Sequence, residues 1–281
     1  WRRVLAAIER GAKRIVVDPR RTQTAQRAHL WLPVLPGTDA ALMLGMARVL
    51  LEEGLYDAEF VTYWTNAPFL VDRASGRLLR ECDLSPGGAA ERFVVVDATT
   101  GLPAAIDPAR HPRHWGVVPQ LDAQLTGFPG ARGPLHARTV FALLRERVAP
   151  FTPEEVERLT EVPAAQVVEA ARWLGTLGPV AYYTFNGIEQ HTNTAYTNRT
   201  LCVLYALTGY FDAPGGNVIL AGVPANAPEA PELLPPEQAA KRLGRRERPL
   251  GAPRINAQAY NVFESILTGE PYRTRALVSF G

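Results

Sequence analysis

Two polar loops concentrate the side chains of this sequence that could do chemistry. Asp18-Pro19-Arg20-Arg21 follows the β-branched run of Ile15, Val16 and Val17. The loop at 186–193, dense in amides and hydroxyls and carrying one histidine, His191, follows an apolar run at 180–185. Open α/β sheets bind ligands beyond the carboxyl ends of their strands, and both loops would leave such ends. A carboxylate placed just after a strand can accept hydrogen bonds from ribose hydroxyls or a guanine edge, and neighbouring arginines can contact phosphate. Pro19 fixes the local backbone and helps aim the acid. Taken alone, the Asp-Pro-Arg-Arg run reads equally as a capped, solvated turn.

Other chemistries lack their signatures. No GxGxxG phosphate loop follows the first strand, no GxxxxGK[ST] occurs, and GxSxG and HExxH are absent. His111 and His114 have a spacing that could bind metal. No cysteine lies near them, and the Pro and Arg between them suit an exposed turn, so no metal ligand is assigned. Cys82 and Cys202 lie far apart and form neither a CxxC pair nor an iron–sulfur ligand run; they read as ordinary thiols, with a lean towards the cytoplasm.

The elements that must position the loops read as alternating helix and strand. Val4, Leu5 and Ile8 form one face of a first helix, which Gly11 stops. Ile15, Val16 and Val17 predict a buried strand of a parallel sheet. A short apolar run at 30–35 precedes the turn Pro36-Gly37-Thr38-Asp39, in which Thr38 or Asp39 can cap the next helix. Leu42, Met46, Val49 and Leu50 give that helix its apolar spacing, and Gly54 ends it. Residues 66–140, with clustered Pro and Gly, read as an irregular insertion with hairpins. Thr152, Pro153 and Glu155 predict an N-cap, a first-turn proline and a capping-box acid. A helix through Val167, Val168, Ala171 and Leu174 follows, then a strand at 180–185, then a helix through Leu201, Leu204 and Leu207. Residues 221–250 read as an extended or mobile connection, followed by a helix around 258–268 and a terminal strand at 276–280. The expected fold is α/β: a parallel-sheet, Rossmann-like domain with helices on both faces over 1–199, and part of a second α/β domain over 200–281.

The 281 residues are 47% hydrophobic, enough for a sizeable core. Thirty basic against 28 acidic residues leave a net charge of +2, which gives no electrostatic reason to expect a nucleic-acid partner. No apolar run is long enough to span a bilayer. The sequence opens without methionine or a signal-peptide pattern and closes where a strand would meet its loop, so both ends read as cuts.

Three stretches, in order, resemble the molybdopterin oxidoreductases of the dimethyl sulfoxide reductase family: IVVDPRRTQTAQRAHLWLPVLPGTDAALMLGMARVLLEEGLYDAEFV at 15–61, YTFNGIEQHTNTAYTNRTLCVLYALTGYFDAPGGNV at 183–218, and ILTGEPYRTRALVSFG at 266–281. The resemblance is weakest over 62–150. It implies a molybdenum or tungsten centre held by two molybdopterin guanine dinucleotides. Asp18 and Arg20 match the DPR motif that helps hold one guanosine end. Gly37 and Asp39 match PGTD, whose acid reads the N1–H and exocyclic amine of guanine. The segment from Gly187 to His191 resembles the one that approaches the pterins, with Gln190 suited to pterin heteroatoms and His191 to substrate; a surface role for His191 is the plainer alternative. Arg199 falls where formate dehydrogenases of the family place a formate-binding arginine, although other branches differ there and a salt bridge at a helix start would also explain it.

The resemblance further implies two-electron chemistry on a small-molecule substrate, an iron–sulfur electron-transfer subunit or domain as partner, and a 4Fe-4S cluster in a region upstream of this segment. The metal-ligating residue is also expected upstream, and a domain that closes over the second pterin downstream. The chain is therefore expected to be a central fragment without turnover of its own, and prone to aggregate through its cut surfaces. An export signal would also lie upstream, so a periplasmic site stays open beside the cytoplasmic one. Three alternatives remain at this point: a hydratase or hydroxyl-transfer enzyme of the same family, an ordinary dinucleotide-binding enzyme, against which the missing GxGxxG counts, and a noncatalytic homologue, against which the pair Asp18 and Asp39 counts.

Overall fold

The computed structural model describes residues 2–220, 222, 233–245 and 257–278, which divide into two compact units, 1–219 and 220–281. The first unit opens with helix α1 (Arg2–Glu9), followed by strand β1 (Ile15–Val17), the short helix α2 (Gln23–Gln26) and strand β2 (Leu30–Leu32). β1 and β2 pair in parallel with Val16 opposite Trp31 and Val17 opposite Leu32. The chain can return in the same direction because α2 carries it across, started by Thr22, whose hydroxyl accepts the Ala25 N–H at 3.3 Å. Leu30, Leu32 and Val34 turn into the core, whereas Val17 stays 45% exposed, so the fully covered β1 expected from its composition is only half-covered.

Helix α3 (Asp39–Glu52) is the centre of the main core and buries Leu42, Met43, Met46, Ala47, Val49, Leu50 and Leu51. A helix that is apolar on this much of its surface must be surrounded. Its end is set by Gly54, at φ +68°, and by the Leu55 N–H, which donates to the Leu50 carbonyl at 2.8 Å in the manner of a Schellman motif. Helix α4 (Ala58–Trp64) follows, capped by Asp57, whose carboxylate accepts the Phe60 N–H at 2.8 Å.

Residues 66–140 hold antiparallel structure. Strand β3 (Leu70–Asp72), helix α5 (Glu81–Leu84), the hairpin β4 (Phe93–Val96) and β5 (Pro103–Ile106), and the hairpin β6 (Gln124–Gly130) and β7 (Gly133–Thr139) occur in that order. β3, β7 and β6 form one sheet, and β4 with β5 another, around small cores built on Leu70, Val94 and Ala137 and on Phe69, Val95 and Ile106.

The chain then returns to the main core through α6 (Val140–Val148), α7 (Pro153–Thr160), α8 (Ala164–Thr176), the short α9 (Asn186–Glu189) and α10 (Thr194–Thr208). Helices α6, α7, α8 and α10 all pack on α3. Thr152 caps α7 as its sequence implies, accepting the Glu155 N–H at 3.2 Å. The Glu155 carboxylate does not complete a capping box; Arg158 takes it at 2.6 and 2.8 Å.

Two expectations are corrected. Residues 180–185 form no strand, and among the strands of the described residues only β1 and β2 pair in parallel, so the fold is a mixed α/β arrangement with parallel and antiparallel sheets and helices on both faces rather than a plainly parallel Rossmann sheet. In the second unit the described residues form α11 (Pro236–Ala240) and α12 (Ala259–Thr268) and no strand. Most of the connection expected over 221–250 lies outside the described residues. So does the end of the terminal strand expected at 276–280, of which residues 276–278 are irregular.

Candidate functional site

Because β1 and β2 are parallel, the loops that follow them leave at the same, carboxyl end of the pair. The first is Asp18-Pro19-Arg20-Arg21. The Asp18 carboxylate accepts the Arg20 N–H at 2.8 Å, and the Thr22 N–H donates to the Arg20 carbonyl at 2.8 Å. The Trp31 indole N–H donates to the Asp18 carbonyl at 2.8 Å, and the Arg21 guanidinium lies 5.8 Å from the Trp31 ring centroid. The local bonds are those of an Asx turn, which holds the acid at the strand end and turns the arginines outward.

The second loop is a β-turn. The Thr38 N–H donates to the Leu35 carbonyl at 3.1 Å, with Pro36 and Gly37 at its corners and Gly37 at φ +87°. Proline followed by a residue with positive φ is the type II pattern, which explains the order Pro-Gly. The Leu35 N–H is tied to the Thr160 carbonyl at 2.9 Å, so the turn rests on the end of α7. Neither capping role expected for this turn is a side-chain cap: the Thr38 hydroxyl donates back to Leu35 O at 2.7 Å, and Asp39 is the first residue of α3.

Asp39 is half-buried, and burial pushes its carboxyl above the usual aspartate range. The backbone amides of Asp39 and Gly37 and the charge of His191 act against that rise. The fold therefore brings His191, some 150 positions later, within electrostatic reach of Asp39. Gly187 lies in α9, Gln190 just beyond it, and both are exposed with His191 on the connection to α10. Arg199 is exposed on α10 and has no ion pair among the described residues.

Trp31 was not singled out by sequence reasoning. Its position in an apolar strand marked it for the core, and its bond partner is a main-chain atom 13 positions away, which no local pattern reveals. His111 and His114 lie exposed around a 3₁₀ turn, with Arg113 donating to the His111 ring at 3.1 Å. Among the described residues no group of three or more His, Cys, Asp or Glu side chains is placed to hold a metal. Both thiols are free, and no helix of the described residues is long and apolar enough to cross a membrane. Two surface cavities, of about 420 and 480 Å³, are lined by residues of α7 and α8 and around Arg48 and Arg145, none of them a candidate site residue.

The sequence profile of the family described as Molybdopterin oxidoreductase matches residues 2–259, and the chain belongs to that family. Perchlorate reductase subunit alpha of Dechloromonas aromatica is 29% identical over 238 residues, covering 74% of this chain and 25% of the relative. Acetylene hydratase of Syntrophotalea acetylenica is 59% identical over 59 residues, 21% of this chain and 8% of the relative. The solved structure of acetylene hydratase from Pelobacter acetylenicus superposes with a TM-score of 0.58 at 23% identity, over 96% of this chain and 31% of that one, a likeness of fold. The chain thus spans less than a third of the length of each of these relatives. Membership carries the class of cofactor, a molybdenum or tungsten pterin.

Proposed function

We propose that this chain forms part of the catalytic subunit of a molybdenum- or tungsten-dependent enzyme and holds guanosine ends of a bis-(molybdopterin guanine dinucleotide) cofactor. The observation that supports this reading is the common strand end: Asp18 and Arg20 follow β1, Gly37 and Asp39 lie on the loop after β2, and parallel pairing sends both loops out at the carboxyl end of the pair. The residues present fit such a group. Guanine offers donors at N1 and its exocyclic amine, and Asp39 offers a half-buried carboxylate that has lost part of its hydration and gains from new donors. Arg20 and Arg21 supply positive charge for phosphate beside Asp18. Gly187 and Gln190 would approach the pterins. When bound, the cofactor metal supplies two-electron chemistry on a small substrate. His191, exposed on the connection before α10, and Arg199, exposed along it, would orient that substrate, Arg199 through its positive charge. The same proposal takes β1 and β2 as part of a larger parallel sheet, 1–199 as the nucleotide-binding domain and 200–281 as part of a second α/β domain, with an iron–sulfur subunit or domain as the electron partner.

Titration of the chain with GDP, a stand-in for the guanosine end, tests this reading against ADP. GDP should bind at least about tenfold more tightly, the equivalent of one charge-assisted hydrogen bond of about 1.5 kcal/mol, and Asp39→Asn should abolish the preference. Equal affinity for the two nucleotides, or no binding of either, overturns it.

The 59-residue stretch shared at 59% identity with acetylene hydratase supports a second reading, a hydratase of the same family. Viologen-linked electron transfer by the product of the longer reading frame separates the two: turnover with an electron donor or acceptor favours the redox enzyme, and product formation without either favours hydration.

A further inference from the structure

The Asp18 side chain and main chain are held by different partners. The carboxylate is satisfied locally, by the Arg20 N–H at 2.8 Å and the Thr22 hydroxyl at 3.5 Å. The carbonyl, which fixes the direction in which the chain leaves β1, is held by the Trp31 indole at 2.8 Å. The Asp18 N–H, on the other side of the same residue, donates to Leu32 O of β2 at 3.2 Å. Trp31 is anchored in turn, because it sits in β2 between the buried Leu30 and Leu32. Its ring also lies under Arg21, an arrangement in which the indole face attracts the guanidinium.

Resting on the guanosine reading above, we infer that Trp31 is a positioning residue for the nucleotide loop: its N–H holds the Asp18 carbonyl and its ring seats Arg21, so that Asp18 and Arg20 meet the ligand preordered. A preordered loop binds more tightly because it loses less freedom on binding. The indole N–H on a strand facing solvent on one side has no other hydrogen-bond partner among the described residues.

Two measurements on the full chain test this. Amide hydrogen exchange reads the loop directly. Trp31→Phe should speed exchange of the Arg20 and Thr22 amides about fivefold, the worth of one net hydrogen bond, while the amides of α3 keep their protection. A chain carrying benzothienylalanine in place of Trp31 keeps the bicyclic ring and lacks the N–H, so it separates the lost donor from lost packing should the phenylalanine variant fold poorly. GDP affinity should fall about fivefold in the same variants, and the loss should vanish in an Asp18→Ala background, where the loop can no longer present its acid. Wild-type protection of Arg20 and Thr22 in the benzothienylalanine chain overturns the inference. So does faster exchange with unchanged GDP affinity, or a GDP loss that persists in full without Asp18. A wild-type chain that binds no GDP overturns the nucleotide reading instead, and the exchange rates then decide alone whether Trp31 holds the loop.

Discussion

Asn217 pairs with Tyr182 as a neighbouring strand would. Its side-chain carbonyl accepts the Tyr182 N–H at 2.7 Å, and its amide donates to the Tyr182 carbonyl at 2.9 Å. Both main-chain groups of Tyr182 are thereby satisfied in a segment whose composition is that of a strand but which joins no sheet. Tyr182 itself packs on the main core beside Tyr205, its hydroxyl 3.3 Å from that of Thr208, and burial pushes its phenol up to about 12.

Replacing Asn217 with alanine strips two bonds from partly buried main-chain groups without creating a large cavity. The expected loss is about 1–3 kcal/mol of unfolding free energy, the cost of leaving such groups unpaired. Urea unfolding measures it. A loss below about 0.5 kcal/mol would mean that water replaces the side chain and that Asn217 does not fix the segment.

Gly45 lies where α3 meets α7. A Cβ there would stand 2.4 Å from Val156 Cγ2, and Val156 is fully buried and β-branched, so it cannot swing aside. Alanine at an ordinary helix position gains about 1 kcal/mol over glycine. Here overpacking should reverse the sign, and Gly45→Ala should destabilise by about 1–3 kcal/mol. Adding Val156→Ala should make the Gly45→Ala step favourable. Additive effects of the two substitutions would sink the close-contact explanation.

The Gly37 site separates backbone from packing. A Cβ there meets nothing within 4 Å, yet φ is +87°. Gly37→Ala should therefore cost about 1–2 kcal/mol from conformation alone, and Gly37→Asn less, because asparagine tolerates positive φ. Equal losses in thermal or urea unfolding for the two variants would show that something other than backbone conformation requires glycine.

Helices were the legible part of this fold. The apolar spacings of α3, α8 and α10 and the Thr152 cap of α7 are local facts, and each element forms where they place it. Pairing partners were not legible. The main-chain groups of Tyr182 are met by the Asn217 side chain, 35 positions away, and the Glu155 carboxylate is taken by Arg158 rather than by a capping box. In the site, the two loops could be found from their residues and their resemblance. That they leave at one end of the pair depends on parallel pairing of β1 with β2, and the electrostatic effect of His191 on Asp39 joins positions about 150 residues apart; no spacing rule contains either.

Asp39 carries the last prediction. Burial raises its carboxyl above the ordinary value of 3.8, which means that its charge is less welcome in the folded chain than in the unfolded one. The sign follows: the stability associated with protonated Asp39 is fully present below the unfolded value and is lost as pH rises through the higher folded one. Asp39→Asn, which is neutral at every pH, should thus be more stable than wild type near neutrality. The gap should close as pH falls towards 3.8, where wild type takes up its proton. His191→Ala removes a charge that favours the carboxylate, so in that background Asp39 should titrate at still higher pH. Urea unfolding across pH of the wild type and the two single variants reads these differences, with GDP titration alongside. A more stable Asp39→Asn chain that has lost its GDP preference is the signature of a carboxylate kept for a ligand at a cost to the fold. An Asp39→Asn chain less stable than wild type at neutral pH would instead make Asp39 a structural partner of the α3 N-terminus and remove it from the site.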